Sequence, residues 1–162
     1  MSTLGSLFGR QSAPMLGIDI SSSSVKLVEL GRDKAGALVL ERCAIEPLER
    51  GWVVDGNIEK FDEVVEALRR LVKKSGTRAK NAALALPASA VITERSVLPG
   101  GMSDLELEVQ VESEANQYIP FSLDEVSLDF CVVGPSPTSA GDVEVLIAAS
   151  RKEKVQDRQG LA

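Results

Sequence analysis

Asp19, four consecutive serines from Ser21 to Ser24, and Lys26 are gathered in one short stretch, and these types can handle a phosphate. An aspartate leaving a buried strand can hold a hydrated Mg²⁺. Small hydroxyl residues in a turn let backbone N–H groups and side-chain donors approach phosphate oxygens. A lysine beyond the turn adds a mobile point charge for the same anion. A solvated hairpin turn is the competing reading, because serine satisfies turn backbone well. Neither G-x-x-x-x-G-K-[ST] nor G-x-G-x-x-G is present, which excludes a P-loop and a dinucleotide fingerprint.

The flanking residues predict the elements that carry this turn. Leu16, Ile18 and Ile20 alternate with Gly17 and Asp19, the period of a half-buried strand. Val25, Leu27 and their neighbours form a second strand, and residues 37–45 a third, so the start reads as an antiparallel meander. A helix follows over 60–74. Phe61, Val64, Val65, Leu68, Leu71 and Val72 form its apolar stripe, with Asp62 and Glu63 near the start and Lys73 and Lys74 at the end. Ser75-Gly76 stops it, and a short apolar strand over 81–86 is closed by Pro87. The order β-β-β-α-β is that of a mixed α/β sheet with one covering helix.

A second group of elements begins near Ser89. Residues 90–98 predict a strand broken by Pro99-Gly100-Gly101, and Ser103-Asp-Leu-Glu106 is a capping box opening a helix to about Tyr118. Leu107, Val111, Ala115 and Tyr118 make one stripe of that helix, while Leu105 and Val109 lie on another side. Such a helix either packs between a sheet and a neighbouring subdomain or offers its second face to a partner. Two more strands are expected over 126–133 and 143–149. A polar helix is expected from Ser150, with Ser150 as cap and Glu153 three residues on. It runs into Ala162 without an apolar face, as a truncated chain would. Residues 1–14 are expected to be a flexible tail, since Gly5 and Gly9 weaken any helix through Leu4, Leu7 and Phe8.

Composition narrows the chemistry. The 162 residues are 44% hydrophobic and 26% charged, the balance of a globular protein. Aromatics at 4% and a net charge of −6 argue against nucleic-acid binding, by base stacking or by phosphate contact. The absence of histidine removes the commonest general base and transition-metal ligand together. Cys43 and Cys131 are isolated, which argues against zinc, and their apolar neighbours predict buried thiols in a reducing compartment. No apolar run approaches the length of a membrane span and no secretory signal is visible, so the expected location is the cytoplasm.

Four segments together resemble one family. Gly17-Ile-Asp-Ile-Ser-Ser-Ser-Ser-Val-Lys26, Asn81-Ala-Ala-Leu-Ala-Leu-Pro87, Glu114-Ala-Asn-Gln-Tyr-Ile-Pro120 and Ala148-Ala-Ser-Arg-Lys152 are similar to the N-terminal half of the PilM family. These are actin-like, FtsA-related assembly proteins of the type IV pilus. The resemblance implies an α/β, ribonuclease H-like N-terminal lobe. Its mixed-sheet subdomain 1A would comprise 15–88 and 145–162, with an inserted α/β subdomain 1C over 89–144. It further implies ATP and Mg binding by Gly17, Asp19, Ser21, Ser22, Ser23, Ser24 and Lys26, with Asp19 holding Mg through water. The second lobe that carries the rest of the nucleotide site in the family lies beyond this sequence. Half a cleft is therefore expected to bind nucleotide weakly and to catalyse nothing.

The implied location is the cytoplasmic face of the inner membrane, and the implied partner is the cytoplasmic N-terminal peptide of PilN. An extended-peptide site needs apolar wall with a few polar groups aimed at main chain. Gln117, Tyr118, Ile119, Pro120 and Phe121 have that mixture, although the three apolar rings and side chains could equally seal a core. A sugar-kinase-like phosphotransferase is the enzymatic alternative, but Pro87-Ala88-Ser89 supplies no catalytic carboxylate, and Glu94 and Asp104 read as surface charge and helix start. An FtsA-like, filament-forming division protein is the third, disfavoured by Gln117-Tyr118-Ile119-Pro120. Arg69, Arg70, Lys73, Lys74, Arg78 and Lys80 form a basic cluster, read as a solvated helix end or as a contact for anionic lipid.

Overall fold

Alternation of apolar and polar residues builds the first sheet as the sequence predicts. The computed structural model describes residues 14–162; the tail expected over 1–14 falls almost wholly outside them. Strands β1 (Met15–Ile20), β2 (Ser24–Arg32) and β3 (Leu38–Pro47) form an antiparallel meander, and β6 (Asn81–Leu84) pairs parallel with β1 to give the order β3-β2-β1-β6. Two short strands, β4 (Val53–Val54) and β5 (Asn57–Ile58), pair with each other between β3 and the first helix.

Helix α1 (Phe61–Ser75) packs on β2 and β3. Val64, Ala67, Leu68 and Leu71 are its buried residues, and Leu16, Ile18, Val25 and Leu27 are the buried apolar residues of the sheet. Each such aliphatic side chain removed from water is worth about 1.5–3 kcal/mol. Phe61 and Val72, expected in the stripe, sit at its margins and are 38% exposed. No side chain caps the N-terminus, so Asp62 and Glu63 are the residues there that complement the helix dipole. The C-terminus closes on Gly76, whose φ of 63° is easy for glycine alone and whose N–H reaches the Lys73 carbonyl.

The described residues divide into two compact units, 14–85 and 86–161. In the second unit, β7 (Ile92–Pro99), β9 (Asp142–Arg151) and β8 (Val126–Pro135) form an antiparallel sheet in the order β7-β9-β8. Helix α2 (Asp104–Tyr118) opens with the expected capping box: Ser103 Oγ accepts from the Glu106 N–H and Glu106 returns a bond to the Ser103 N–H. Leu107 and Val111 of α2 pack with Leu98, Val145 and Ile147, while Ala115 packs with Ile119, Val126 and Ala149. Helix α3 (Lys152–Leu161) follows β9 directly.

Three expectations are corrected. Residues 145–151, assigned to subdomain 1A, lie in the central strand of the second sheet, where alternate residues Val145, Ile147 and Ala149 are buried. Ser150 does not cap α3. It is the penultimate residue of β9, and its hydroxyl donates to the Ala90 carbonyl at 2.7 Å. Cys43 and Cys131 are exposed thiols. Cys43 pairs with Val28 and Cys131 with Leu146, so the pleat places each opposite the buried row of its sheet.

Candidate functional site

The serine turn is the end of the β1–β2 hairpin. Its backbone closes through Ser21 N–H to the Ser24 carbonyl at 3.0 Å, doubled by the Ser21 hydroxyl to the same oxygen at 2.9 Å. The Leu48 N–H donates to the Ser23 carbonyl at 2.9 Å, tying the turn to the chain beyond β3. Ser21 and Ser24 therefore shape the turn, whereas Ser22 and Ser23 are exposed and donate no hydrogen bond among the described residues. Two backbone N–H groups and two hydroxyls remain available to an anion.

Asp19 and Lys26 are cross-strand partners, and Lys26 Nζ lies 2.7 Å from Asp19 Oδ2 and 3.3 Å from Ser21 Oγ. The carboxylate read as a metal-orienting group and the cation read as a phosphate ligand thus hold each other at the turn. Both are substantially exposed, so the pair can open to a charged ligand at small cost. Gly17 shares the Asp19 face of β1. A Cβ there would stand 3.1 Å from Val28 Cγ2, so its smallness serves strand packing as well as access. The donors, the free carboxylate oxygen and the mobile cation fit a magnesium-bound phosphate. No group of three or more acidic or sulfur ligands is gathered at the turn or elsewhere among the described residues, and Asp19 is the turn's one carboxylate.

The 117–121 segment lies in the second unit, at the end of α2. Gln117 and Pro120 are exposed, while Ile119 is 6% exposed and belongs to the core with Ala115, Val126 and Ala149. Phe121 stays 39% exposed with the Arg151 guanidinium over its ring at 5.4 Å. Tyr118 packs along both buried clusters, and its hydroxyl is buried with no partner among the described residues. Burial, reinforced by the negative charges of Glu94 and Glu114, pushes its phenol above the usual tyrosine range. Gln117 and Phe121 can therefore serve a ligand, whereas Ile119 and the closed-off Tyr118 hydroxyl belong to the interior.

Half of the basic cluster is engaged within its own unit. Arg69 bonds Glu66, Arg70 Nε bonds Glu46 Oε1 at 2.7 Å, and Lys74 Nζ donates to the Ile45 carbonyl at 2.9 Å. Lys73, Arg78 and Lys80 remain exposed. Two buried charges escaped sequence reading, Arg158 in α3 and Glu29 in β2; Glu29, 6% exposed, accepts from Thr77 Oγ1 at 2.7 Å and faces Arg42 Nε at 3.2 Å. For Glu29 the signal was an odd acidic residue on the core phase of β2. No helix among the described residues is long and apolar enough to cross a membrane.

A mixed sheet opening on a hairpin with this turn, followed by a separate α/β unit, defines the N-terminal lobe of an actin-like protein. The family model described as type IV pilus assembly protein PilM matches residues 17–162, and the chain belongs to that family. A solved structure titled "PilM-PilN type IV pilus biogenesis complex" matches with a TM-score of 0.77 at 30% identity, over 91% of this chain and 43% of that one. The chain thus spans less than half the length of that relative. A diol dehydratase-reactivating factor in nucleotide-free form also matches, at 17% identity over 79% of this chain and 17% of that one. Its TM-score is 0.32, and it bears on neither fold nor function.

Proposed function

We propose that this chain is a scaffold module of type IV pilus assembly. In this reading it binds the N-terminal cytoplasmic peptide of a PilN-like protein and thereby sits at the inner face of the membrane. The observation that carries it is the likeness over 91% of the chain to a PilM solved with PilN. Gln117 contributes an exposed amide for peptide main chain and Phe121 an apolar wall, with Tyr118 packed behind them. Pro120 fixes the exit from α2, so these groups are held before the peptide arrives.

The hairpin turn is proposed as one wall of an ATP–Mg site. Ser22 and Ser23 would donate to phosphate oxygens, Lys26 would supply charge on leaving Asp19, and Asp19 would orient the hydrated metal. Bound Mg²⁺ would neutralise phosphate charge. The turn would form one wall of such a site, and one wall alone binds nucleotide weakly. Fluorescence anisotropy of a labelled PilN N-terminal peptide against the chain tests the first part. Saturable binding that Gln117→Ala weakens supports it, and absence of binding removes it.

A further inference from the structure

Helix α2 has a second apolar face that nothing among the described residues of its unit covers. Leu105 is 71% exposed and Val109, one turn on, 62%. With Met102, Glu106 and Gln110 they line an open depression of about 390 Å³. The opposite face, Leu107, Val111 and Ala115, is the one committed to the core. At about 100° per residue, Glu108 and Glu112 fall on one flank of the Leu105–Val109 stripe and Glu106 on the other. The capping box holds Glu106 in place, since Ser103 donates to its carboxylate through both N–H and Oγ, and these bonds draw its carboxyl below the usual glutamate range. All five charged residues of α2 are acidic: Asp104, Glu106, Glu108, Glu112 and Glu114.

The surrounding unit has the same sign. Residues 86–161 carry 5 Lys and Arg against 13 Asp and Glu, a net −8, whereas residues 1–85 carry 13 against 11, a net +2. The cations of the acidic unit are occupied away from α2. Arg95 bonds Glu144, Arg151 and Lys154 face Glu153, Lys152 reaches the Asp124 carbonyl, and Arg158 is buried in α3.

We infer that the Met102–Leu105–Val109 face of α2 docks a cationic amphipathic helix of another protein, whose apolar residues seat on Leu105 and Val109 between the flanking glutamates. An apolar stripe one helix wide is the usual receiver for such a segment. The sign of the rim excludes nucleic acid and anionic membrane as occupants. A second copy would set Glu106, Glu108 and Glu112 against their equivalents, which like-charge repulsion disfavours. The inference uses residues apart from 117–121, so it stands or falls separately from the peptide reading above.

The probe is a fluorescein-labelled peptide of about 15 residues with leucines at i, i+3, i+4 and i+7 and lysines elsewhere. A control peptide has the same composition scrambled so that the leucines share no face. The chain is expected to bind the amphipathic peptide in fluorescence anisotropy and the scrambled one at least about tenfold more weakly. Leu105→Ser with Val109→Ser should weaken binding about tenfold, as removal of central anchors does, with unchanged circular dichroism. Glu108→Lys with Glu112→Lys should weaken it and flatten its salt dependence. Equal affinity for the scrambled peptide, or for the Ser double variant, overturns the proposal. So does displacement of the probe by a peptide of residues 1–14, or a wild-type sedimentation coefficient that only the Ser variant brings down to that of a monomer. These two results would assign the face to the chain's own segment or to a second copy.

Discussion

Lys26 Nζ rests 2.7 Å from Asp19 Oδ2, directly across the β1–β2 pair. The two residues that chemistry singles out for a metal and a phosphate neutralise each other when neither is bound. This arrangement keeps the hairpin end from carrying a net charge, and it leaves both groups exposed enough to exchange partners.

The exchange makes Asp19→Ala a test. In the protein extended to the length of its PilM relative, the variant should bind Mg-ATP about tenfold more weakly by calorimetry. Its melting temperature should stay within a degree or two, because an exposed pair contributes only about 0–1 kcal/mol. Equal affinity in variant and wild type would remove the phosphate reading of the turn.

Glu29 makes a different demand. Its buried carboxylate accepts from Thr77, whose Oγ1 also accepts the Ala79 N–H at 3.0 Å. Thr77→Val keeps the shape and removes both bonds, and stranding a buried carboxylate should cost about 1–3 kcal/mol in urea unfolding. A loss below a few tenths would mean that Arg42 alone satisfies Glu29.

Leu71 and Val72 are neighbours on α1 with opposite fates. Leu71 is fully buried, so Leu71→Ala should cost about 2–5 kcal/mol, while Val72→Ala at the exposed margin should cost under about 1 kcal/mol. Comparable losses would place the helix in a different rotation on its sheet.

Glu106 ties α2 to pH. The hydrogen bonds from Ser103 depress its folded pKa, so the stability they contribute is present above the ordinary glutamate pKa and is lost as pH falls through the lower folded value. Acid titration of helicity should show this step; Ser103→Ala, which removes the hydroxyl bond and keeps the N–H bond, should shrink it, and Glu106→Gln should abolish it.

Local signals carried most of the elements. The capping box, the α1 stripe, the Gly76 stop and the serine hairpin all depend on residues within a turn or two of one another. What failed depends on distant partners. Nothing near Val145 states that β7 and β8 will flank it, so allegiance of β9 to the second sheet could not be read locally. The exposed Cys43 and Cys131 failed for the same reason, since apolar neighbours do not say which side of a sheet a helix covers. At the candidate peptide segment, composition named the right kinds of side chain, but the burial of Ile119 against Ala149 is a tertiary fact.

Titration of a labelled PilN N-terminal peptide into the chain, read by fluorescence anisotropy for wild type and Gln117→Ala, tests the central claim most directly. The account predicts saturable one-to-one binding by the wild type and affinity about tenfold lower in the variant, with both proteins equally folded. Undiminished affinity in Gln117→Ala would move the groove away from residues 117–121, and no binding by the wild type would contradict the scaffold function itself.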